Sequence, residues 1–227
     1  MSAIGQFSET QVEEACFFFV SCAFASILPF MVGSPLLLAT GNHGKVQELR
    51  ALLADLPVRL LPASALDAPP TVTEDADTLD GNAQKKARAF HEHTGHPALA
   101  DDTGLEVVAL DGGPGVHTAR FAGPDATPDD NKQKLMAVME GIDDRRARFR
   151  TVAALVEGNG TVHTFEGICE GTIATEAHGD GGFGYDPLFR PDEHDQTFAE
   201  MPPEEKNKIS HRRKALDALR RFLVDAN

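Results

Sequence analysis

The sequence lacks tryptophan and has one tyrosine, so its 14 phenylalanines supply nearly all of the aromatic surface. Only three cysteines occur, Cys16, Cys22 and Cys169, and their spacing matches neither a metal-binding pair nor a redox pair. A low and odd cysteine count is typical of a protein in a reducing compartment without structural disulfides. We therefore expect a cytoplasmic protein that is held together by packing.

Positive charge is also scarce, with 21 Lys and Arg residues against 35 Asp and Glu residues and a net charge of −14. This excess of negative charge argues against duplex DNA and anionic membranes as partners. The net charge does not exclude a phosphorylated substrate. Salt screens surface fields beyond about 8 Å at physiological ionic strength, so the charges near a binding site decide whether it binds a phosphate. We expect no nucleic acid and no membrane partner.

No Lys or Arg precedes Lys45, although residues 16–32 form an almost wholly apolar run. Without a basic segment ahead of it, this run does not match a signal peptide, and without flanking cations it is a poor membrane span. We expect residues 1–33 to be an N-terminal extension outside the fold, with Met31 as the true start, and residues 34–227 to form the domain.

Short apolar runs alternate with helical periodicities along the rest of the chain. The predicted strands cover residues 35–39, 58–61, 98–102, 105–110, 148–157 and 161–175, and the predicted helices cover 46–56, 78–94, 128–139 and 211–224. The last two strands are joined at Gly158-Asn159-Gly160, a strong hairpin signal. Interleaved elements followed by a late hairpin predict an α/β fold with a mixed sheet.

Two adjacent carboxylates, Asp101 and Asp102, end the apolar run that starts at Ala98, and Thr103 and Gly104 follow at once. This order predicts a buried strand that ends at a turn and opens into a cleft. Adjacent side chains on an extended chain point to opposite faces, so we expect only Asp102, next to the turn, to face the site. Carboxylate oxygens suit a hard cation such as Mg²⁺. A solvated turn is the alternative interpretation.

A second candidate site lies where the first strand meets the first helix. Its residues are Thr40, Gly41, Asn42, His43, Gly44 and Lys45. Free backbone N–H groups and the positive end of the helix dipole favour an anion there, which would also offset the unfavourable position of Lys45 in the first turn. A turn with a solvated lysine explains the same residues. Farther along, Glu74 and Lys86 could join Asp102 around a metal and a phosphate, although each alone is typical of an acidic loop or a solvated helix face.

Two later segments suggest a base-binding region. In the glycine-rich loop, Phe183 can stack on a flat ligand, with Gly184, Tyr185 and Asp186 beside it; a tight turn with a core phenylalanine is the alternative. The one strongly basic stretch, residues 205–214, offers several donors at the start of the last predicted helix. A charge run of this kind is also typical of a solvated face.

In this order, the segments resemble the inosine/xanthosine triphosphate pyrophosphatase family from Leu36 to about Phe222. The matching stretches are Thr40-Gly41-Asn42-x-x-Lys45-x-x-Glu48, Glu74-Asp75 with Asn82-Ala83-x-x-Lys86-Ala87, Ala100-Asp101-Asp102-Thr103-Gly104-Leu105, Gly113-x-Gly115-Val116-x-Thr118-Ala119-Arg120-Phe121-Ala122-Gly123, Gly182-Phe183-Gly184-Tyr185-Asp186-Pro187-x-Phe189 and Glu205-Lys206-Asn207-x-Ile209-Ser210-His211-Arg212. Leu79, Gly81 and His117 depart from the residues common in the family, and the N-terminal extension has no counterpart.

The resemblance implies Mg²⁺-dependent hydrolysis of non-standard purine nucleoside triphosphates to the monophosphate and pyrophosphate. It implies that Asp102 is the general base and a metal-site residue, with Glu74 beside it. The residues it assigns to the triphosphate are Thr40, Asn42, Lys45, Lys86 and Thr103. Those it assigns to the purine are Phe183, Asp186, Lys206, His211 and Arg212. It also implies a two-lobed fold around a long curved sheet with flanking helices, an active site in the cleft between the lobes, and a homodimer.

Two other functions remain open at this stage. A nucleotide-binding sensor would keep the pocket and lack hydrolysis, and a related pyrophosphatase would act on pyrimidine triphosphates. The sequence favours the purine enzyme over the sensor, because every acidic group that the chemistry needs is present.

Overall fold

The computed structural model of the protein describes residues 35–225, so the predicted extension over residues 1–33 lies outside the described residues. The strands are β1 (Leu36–Leu38), β2 (Leu60–Pro62), β3 (Ala98–Val107), β4 (Pro114–Gly115), β5 (Arg146–Val156), β6 (Val162–Ile173) and β7 (Phe189–Pro191). The helices are α1 (His43–Leu52), α2 (Leu79–Thr94), α3 (Pro128–Val138), α4 (Pro203–Ile209) and α5 (His211–Asp225).

These strands form one mixed sheet in the order β2-β1-β3-β5-β6-β7, and β4 pairs with β3 beside this path. Strand β1 is parallel to β2 and β3, whereas β3, β5, β6 and β7 pair antiparallel. The predicted hairpin joins β5 and β6, with Val156 opposite Val162. The predicted α/β fold around a mixed sheet is confirmed.

Alternating side chains of β1, β3 and β5 build two cores on opposite faces of the sheet. On one face, Leu36, Leu38 and Leu155 pack against α1 and α5. On the other face, Leu37 and Ala154 pack against α2. This alternation fixes the register, because a slip of one residue would exchange the two faces.

A third core lies at the far end of the long strands β3, β5 and β6. Leu105, Phe149 and Ile173 pack there against Leu135 of α3 and against Phe198 from the segment after β7. Packed cores therefore cover both ends of the long strands, and the middle of the sheet lies between these cores.

One prediction about β3 is wrong: Thr103 and Gly104 do not form a turn. The strand runs unbroken from Ala98 to Val107, and it pairs with β5 along its whole length. This continuous ladder outweighs the local turn preference of the two residues. A side chain at position 104 would also collide with the backbone of Gly115 in β4, so glycine serves strand pairing there.

The helix predictions are confirmed for α2 and α3, whose N-caps are Thr78 and Thr127. Helix α1 is shorter than predicted: it ends at Leu52 instead of reaching residue 56, because Leu53 already caps it. The short α4 and the strands β4 and β7 were not predicted, and the strand predicted over residues 105–110 is the end of β3 up to Val107, followed by a 3₁₀ turn over Val108–Leu110. None of the helices in residues 35–225 is long and apolar enough to cross a membrane.

Candidate active site

A cavity of about 460 Å³ opens where β1 ends, between the cores at the two ends of the sheet. Most of the candidate residues line it: Thr40, Gly41, Asn42, Lys45, Glu74, Lys86, Asp102, Thr103, Phe183, Gly184, Tyr185, Asp186, Lys206, His211 and Arg212. The structure does not place His43 or Gly44 in this lining, and His43 is exposed. The cavity therefore joins residues from segments that are far apart in the chain.

The loop between β1 and α1 is held by its own side chains. Thr40 Oγ1 accepts a hydrogen bond from the Asn42 N–H at 3.2 Å, and Asn42 Oδ1 caps the helix by accepting the Lys45 N–H at 3.1 Å. The Lys45 side chain reaches β3, where its Nζ lies 3.1 Å from the Asp101 carboxylate. The start of α1 therefore presents its backbone and a lysine to the same end of the cavity.

An acidic cluster lies beside this loop, and Lys86 of α2 connects its two carboxylates. Lys86 Nζ donates to Glu74 at 2.9 Å and to Asp102 at 3.2 Å. Asn82, one turn earlier in α2, donates to the second oxygen of Asp102 at 3.2 Å and accepts the Ala76 N–H at 3.0 Å. Helix α2 thus contacts both carboxylates through Lys86, and Asn82 also holds the loop that carries Glu74.

The charges of this cluster shift one another's ionisation. Burial raises the pKa of Asp102, and the negative charge of Glu74 raises it further, against the opposing effects of Lys86 and Lys45. Burial alone would lower the pKa of Lys86, but Asp102 and Glu74 hold it above its usual value. Lys86 therefore stays protonated, and Asp102 is a stronger base than an exposed aspartate.

Within residues 35–225, no three His, Cys, Asp or Glu side chains are grouped so that they could hold a metal ion by themselves. Glu74 and Asp102 still offer carboxylate oxygens on one side of the cavity. A hard divalent cation that binds through one or two carboxylates and the phosphates of a substrate needs no more than this. The donor set fits a cation that arrives with a polyphosphate.

Asp101 points to the opposite face of β3, as the strand geometry predicts. Its Oδ2 accepts hydrogen bonds from Arg212 Nε at 3.1 Å and Nη2 at 2.9 Å. Although burial works in the other direction, Lys45 and Arg212 hold the pKa of Asp101 far below its usual value. Its buried Oδ1 has no hydrogen-bond partner among residues 35–225. Asp101 therefore anchors two cations and does not face the cavity.

At the other end of the cavity, Lys206 is held between two carboxylates. Its Nζ lies 2.7 Å from both Glu48 and Asp186. Asp186 also accepts the Phe183 N–H at 2.7 Å, and Lys206 Nζ lies 5.0 Å from the centre of the Phe183 ring. A side chain at position 44 would collide with that ring, so Gly44 helps to place Phe183 although it does not line the cavity.

His211, the first residue of α5, is buried beside Phe149, with ring centres 4.7 Å apart. Its Nδ1 lies 2.6 Å from Thr151 Oγ1 of β5. Burial, with the positive charge of Arg212 and Lys206, lowers the pKa of His211 well below its usual value, so the ring is neutral. Helix α5 reaches this position because Gly167 of β6 has no side chain to collide with the His211 carbonyl.

Sequence reasoning did not assign Glu48 or Thr151 to the site. Glu48 forms ion pairs with Lys206 and Arg212. It lies three residues after Lys45 on the same side of α1, a spacing that could have pointed to it. Thr151 is a single buried polar residue at the start of an apolar run, and no local pattern indicates its partner 60 residues away.

A mixed α/β fold with acids and lysines at one end of a cavity, and an aromatic ring among cations at the other, defines a nucleotide-binding protein. Comparison with known proteins identifies the family. The Ham1 family model matches residues 36–222, and the chain belongs to the Ham1 family.

Individual relatives agree with this assignment. The chain is 52% identical over 183 residues to a protein of Desulforamulus reducens named dITP/XTP pyrophosphatase, a match that covers 80% of this chain and 91% of that protein. It is similar to a solved HAM1 protein from Coxiella burnetii, with a TM-score of 0.76 and 41% identity over 85% of this chain and 99% of the other. A solved nucleoside-triphosphatase (dITP/XTP pyrophosphatase) from Mycobacterium abscessus has a TM-score of 0.66 and 38% identity, covering 82% and 98% of the two chains.

Proposed function

We propose that this protein hydrolyses non-standard purine nucleoside triphosphates, the inosine, deoxyinosine and xanthosine forms, to the monophosphate and pyrophosphate. The observation that carries the proposal is the division of one cavity. Asp102 and Glu74 share Lys86 at one end, and Phe183 lies beside Lys206 at the other. The first end suits a polyphosphate and the second suits a base. The names of the relatives described above support the same activity.

The triphosphate is held at the start of α1 and by two lysines. Thr40, Gly41 and Asn42 line the cavity just ahead of the positive end of the helix. Lys45 and Lys86 donate to phosphate oxygens and stabilise the negative charge that grows on the leaving pyrophosphate. Thr103 lines the same wall, but its hydroxyl already contacts Thr151 at 2.7 Å, so it is the most constrained of this group.

Asp102 is the general base. A water oxygen forms a bond to the α-phosphorus, and the bond from that phosphorus to the oxygen bridging to the β-phosphate breaks. The bridging oxygen leaves with the electron pair as part of pyrophosphate, and the Asp102 carboxylate takes the water proton.

Glu74 and Asp102 are the residues that would hold Mg²⁺. When bound, Mg²⁺ neutralises charge on the phosphates. The protein supplies the carboxylate oxygens, and Lys86 and Asn82 hold these oxygens in place. The two carboxylates in turn keep Lys86 protonated between them.

The base end selects a 6-oxo purine by offering donors. Lys206 has three N–H groups and two carboxylate partners, which leaves one donor for a ligand. Phe183 provides the stacking surface, with Gly184 and Tyr185 completing the loop around it. A 6-oxo group accepts such donors, whereas the 6-amino group of adenine meets them donor to donor, and an unpaired buried donor is a strong basis for rejection.

A substrate panel tests this proposal. We expect pyrophosphate release from inosine and xanthosine triphosphates to exceed that from ATP by about 10²-fold or more in kcat/KM, and to require Mg²⁺. In ¹⁸O-labelled water, the label should enter the monophosphate and not the pyrophosphate. Release of single phosphates, or a preference for thymidine triphosphate, would contradict the proposal. Binding without turnover would identify a sensor.

The family resemblance also supports a homodimer, and the low cysteine count supports a place in the cytoplasm. Sedimentation of the purified chain tests the first, and fractionation of native cells tests the second.

A further inference from the structure

Two threonine hydroxyls link Arg212 to His211 through the sheet. Thr103 of β3 and Thr151 of β5 are paired across the ladder, with their Oγ1 atoms 2.7 Å apart. Thr151 Oγ1 lies 2.6 Å from His211 Nδ1, and Thr151 is completely buried. Arg212 Nη2 lies 3.1 Å from Thr103 Oγ1 at the other end of this chain of contacts.

The hydroxyl of Thr103 has one favourable acceptor for its proton. A guanidinium can only donate, so Thr103 Oγ1 accepts from Arg212 and must send its own proton elsewhere. Its two choices are Asp101 Oδ2 at 3.3 Å and Thr151 Oγ1 at 2.7 Å. Asp101 Oδ2 already receives two N–H groups of Arg212 and the ammonium of Lys45. The shorter contact, with the less occupied acceptor, therefore takes the proton.

The direction at Thr103 fixes the direction at Thr151. Thr151 receives the Thr103 proton, and its hydroxyl has one other partner, His211 Nδ1, to which it donates. The ring is neutral, since burial lowers the pKa of His211, and it has one proton to place. With Nδ1 accepting, that proton lies on Nε2, which has no hydrogen-bond partner among residues 35–225 in a ring that lines the cavity.

We propose that Thr151 is a positioning residue that holds His211 in the Nε2–H tautomer, so that the ring presents a donor to the 6-position of a bound base. This inference rests on the proposed function for its choice of ligand. The opposite tautomer would present a lone pair, which accepts from the 6-amino group of adenine. Contacts that run from Arg212 through Thr103 and Thr151 thus set the tautomer of His211. Thr151 does not line the cavity, so it acts on the base only through His211.

The first experiment observes the tautomer directly, in the ligand-free protein without metal. Chains labelled with ¹⁵N in histidine are measured by two-dimensional spectra that correlate the carbon-bound ring protons with both ring nitrogens. The His211→Asn variant identifies the His211 signals by their loss. We expect a single tautomer with the proton on Nε2. A proton on Nδ1, or a mixture of both forms, would overturn the inference without any assay of activity.

The second experiment removes the link. In Thr151→Val the shape is kept and the donor is lost, so both tautomers become populated. The preference for inosine over adenosine triphosphate in kcat/KM should fall about tenfold, the value of one uncharged hydrogen bond. Thr151→Ser restores the hydroxyl and should restore the preference. Thr197→Val is the matched control, because Thr197 is also buried but donates to the His178 carbonyl and does not line the cavity.

The outcomes separate this inference from the proposed function. If the wild type shows no preference for inosine triphosphate, the proposed function is wrong, and the tautomer spectra still decide the role of Thr151. If the wild type shows the preference but Thr151→Val keeps both the preference and a single tautomer, the role of Thr151 is wrong and the function stands. Should Thr151→Val fail to fold, the wild-type spectrum and Thr151→Ser still test the arrangement.

Discussion

The two ends of the cavity satisfy their charges to different degrees. At the phosphate end, the side chain of Glu74 is 40% exposed. At the base end, Arg212 is 1% exposed and its guanidinium contacts Asp101, Glu48 and Thr103. The phosphate end therefore keeps one carboxylate, Glu74, open to water, although Lys86 and Asp102 are buried and paired there, whereas the charges at the base end are buried and paired within the protein.

This difference separates the two tasks of the site. Charges that lie near water and are incompletely paired can exchange partners when a polyphosphate enters. Donors that are fixed by buried carboxylates cannot adjust, and a rigid donor set discriminates between bases because a mismatch leaves a buried group unpaired. The phosphate end should therefore control the rate, and the base end should control selectivity and affinity.

The largest effect is expected at the phosphate end, from Asp102→Asn. The amide keeps the size of the side chain but cannot take a proton from water, so kcat should fall by about 10²- to 10⁴-fold. Pyrophosphate release measures the effect, and a thermal unfolding curve shows whether the fold is kept. The control is Asp192→Asn, an exposed aspartate that does not line the cavity and whose loss should leave kcat unchanged. A wild-type rate in Asp102→Asn would show that another group is the base.

A smaller change, in stability, is expected for Asp101→Asn, which removes the ion-pair partner of Lys45 and leaves Arg212 paired with Glu48 alone. Breaking a buried ion pair from one side costs about 3–5 kcal/mol. The native pKa of Asp101 is depressed, so its stabilising effect is present above the unfolded-state pKa of about 3.9 and is lost as the pH falls below it. The stability difference between wild type and variant should therefore shrink in acid.

Urea unfolding at neutral pH and at several values below pH 4 measures this difference for Asp101. Asp144→Asn is the control, since Asp144 is paired with Arg146 at the surface and its pKa is lowered to about 2. Its replacement should change stability little, because surface pairs are screened by water. A difference for Asp101→Asn that does not change with pH would show that its charge is not what stabilises the fold.

The smallest effect is expected at the base end, from Phe183→Leu. Loss of stacking costs about 1–3 kcal/mol for a base on an aromatic ring, so KM for inosine triphosphate should rise at least several-fold while kcat changes little. Steady-state kinetics separate the two constants. Phe222→Leu serves as a comparison, because Phe222 packs against Phe165 and His163 and does not line the cavity. A fall in kcat with constant KM would place Phe183 at the reaction and not at the base.

Local sequence signals predicted the elements that local forces determine. Helix α2 runs from Leu79 to Thr94, almost the predicted range, and the glycines after Val156 form the predicted hairpin. The predicted turn at Thr103 failed because pairing with a strand more than 40 residues away decides the conformation there. Helix α4 escaped prediction because its seven residues hold too few apolar positions for a periodic signal.

The same distinction applies to the site. The family resemblance pointed to Asp102, Glu74 and Lys86, which the fold brings into contact, and their chemical roles stay predictions. Neither the resemblance nor the strand alternation showed that Asp101 pairs with Arg212 or that Thr151 meets His211. Those contacts depend on how α5 packs against β5, and no local pattern in the sequence records that packing.

The base end has one further property: three of its polar groups, Lys206, His211 and Arg212, come from the single junction of α4 and α5. The groups at the phosphate end come from segments spread between residues 40 and 103. Residues 206–212 therefore gather most of the donors for the base in one short stretch. Substitutions within this stretch that keep the ion pairs of Lys206 and Arg212 with Glu48, Asp186 and Asp101 would change the range of accepted bases and leave the phosphate end untouched.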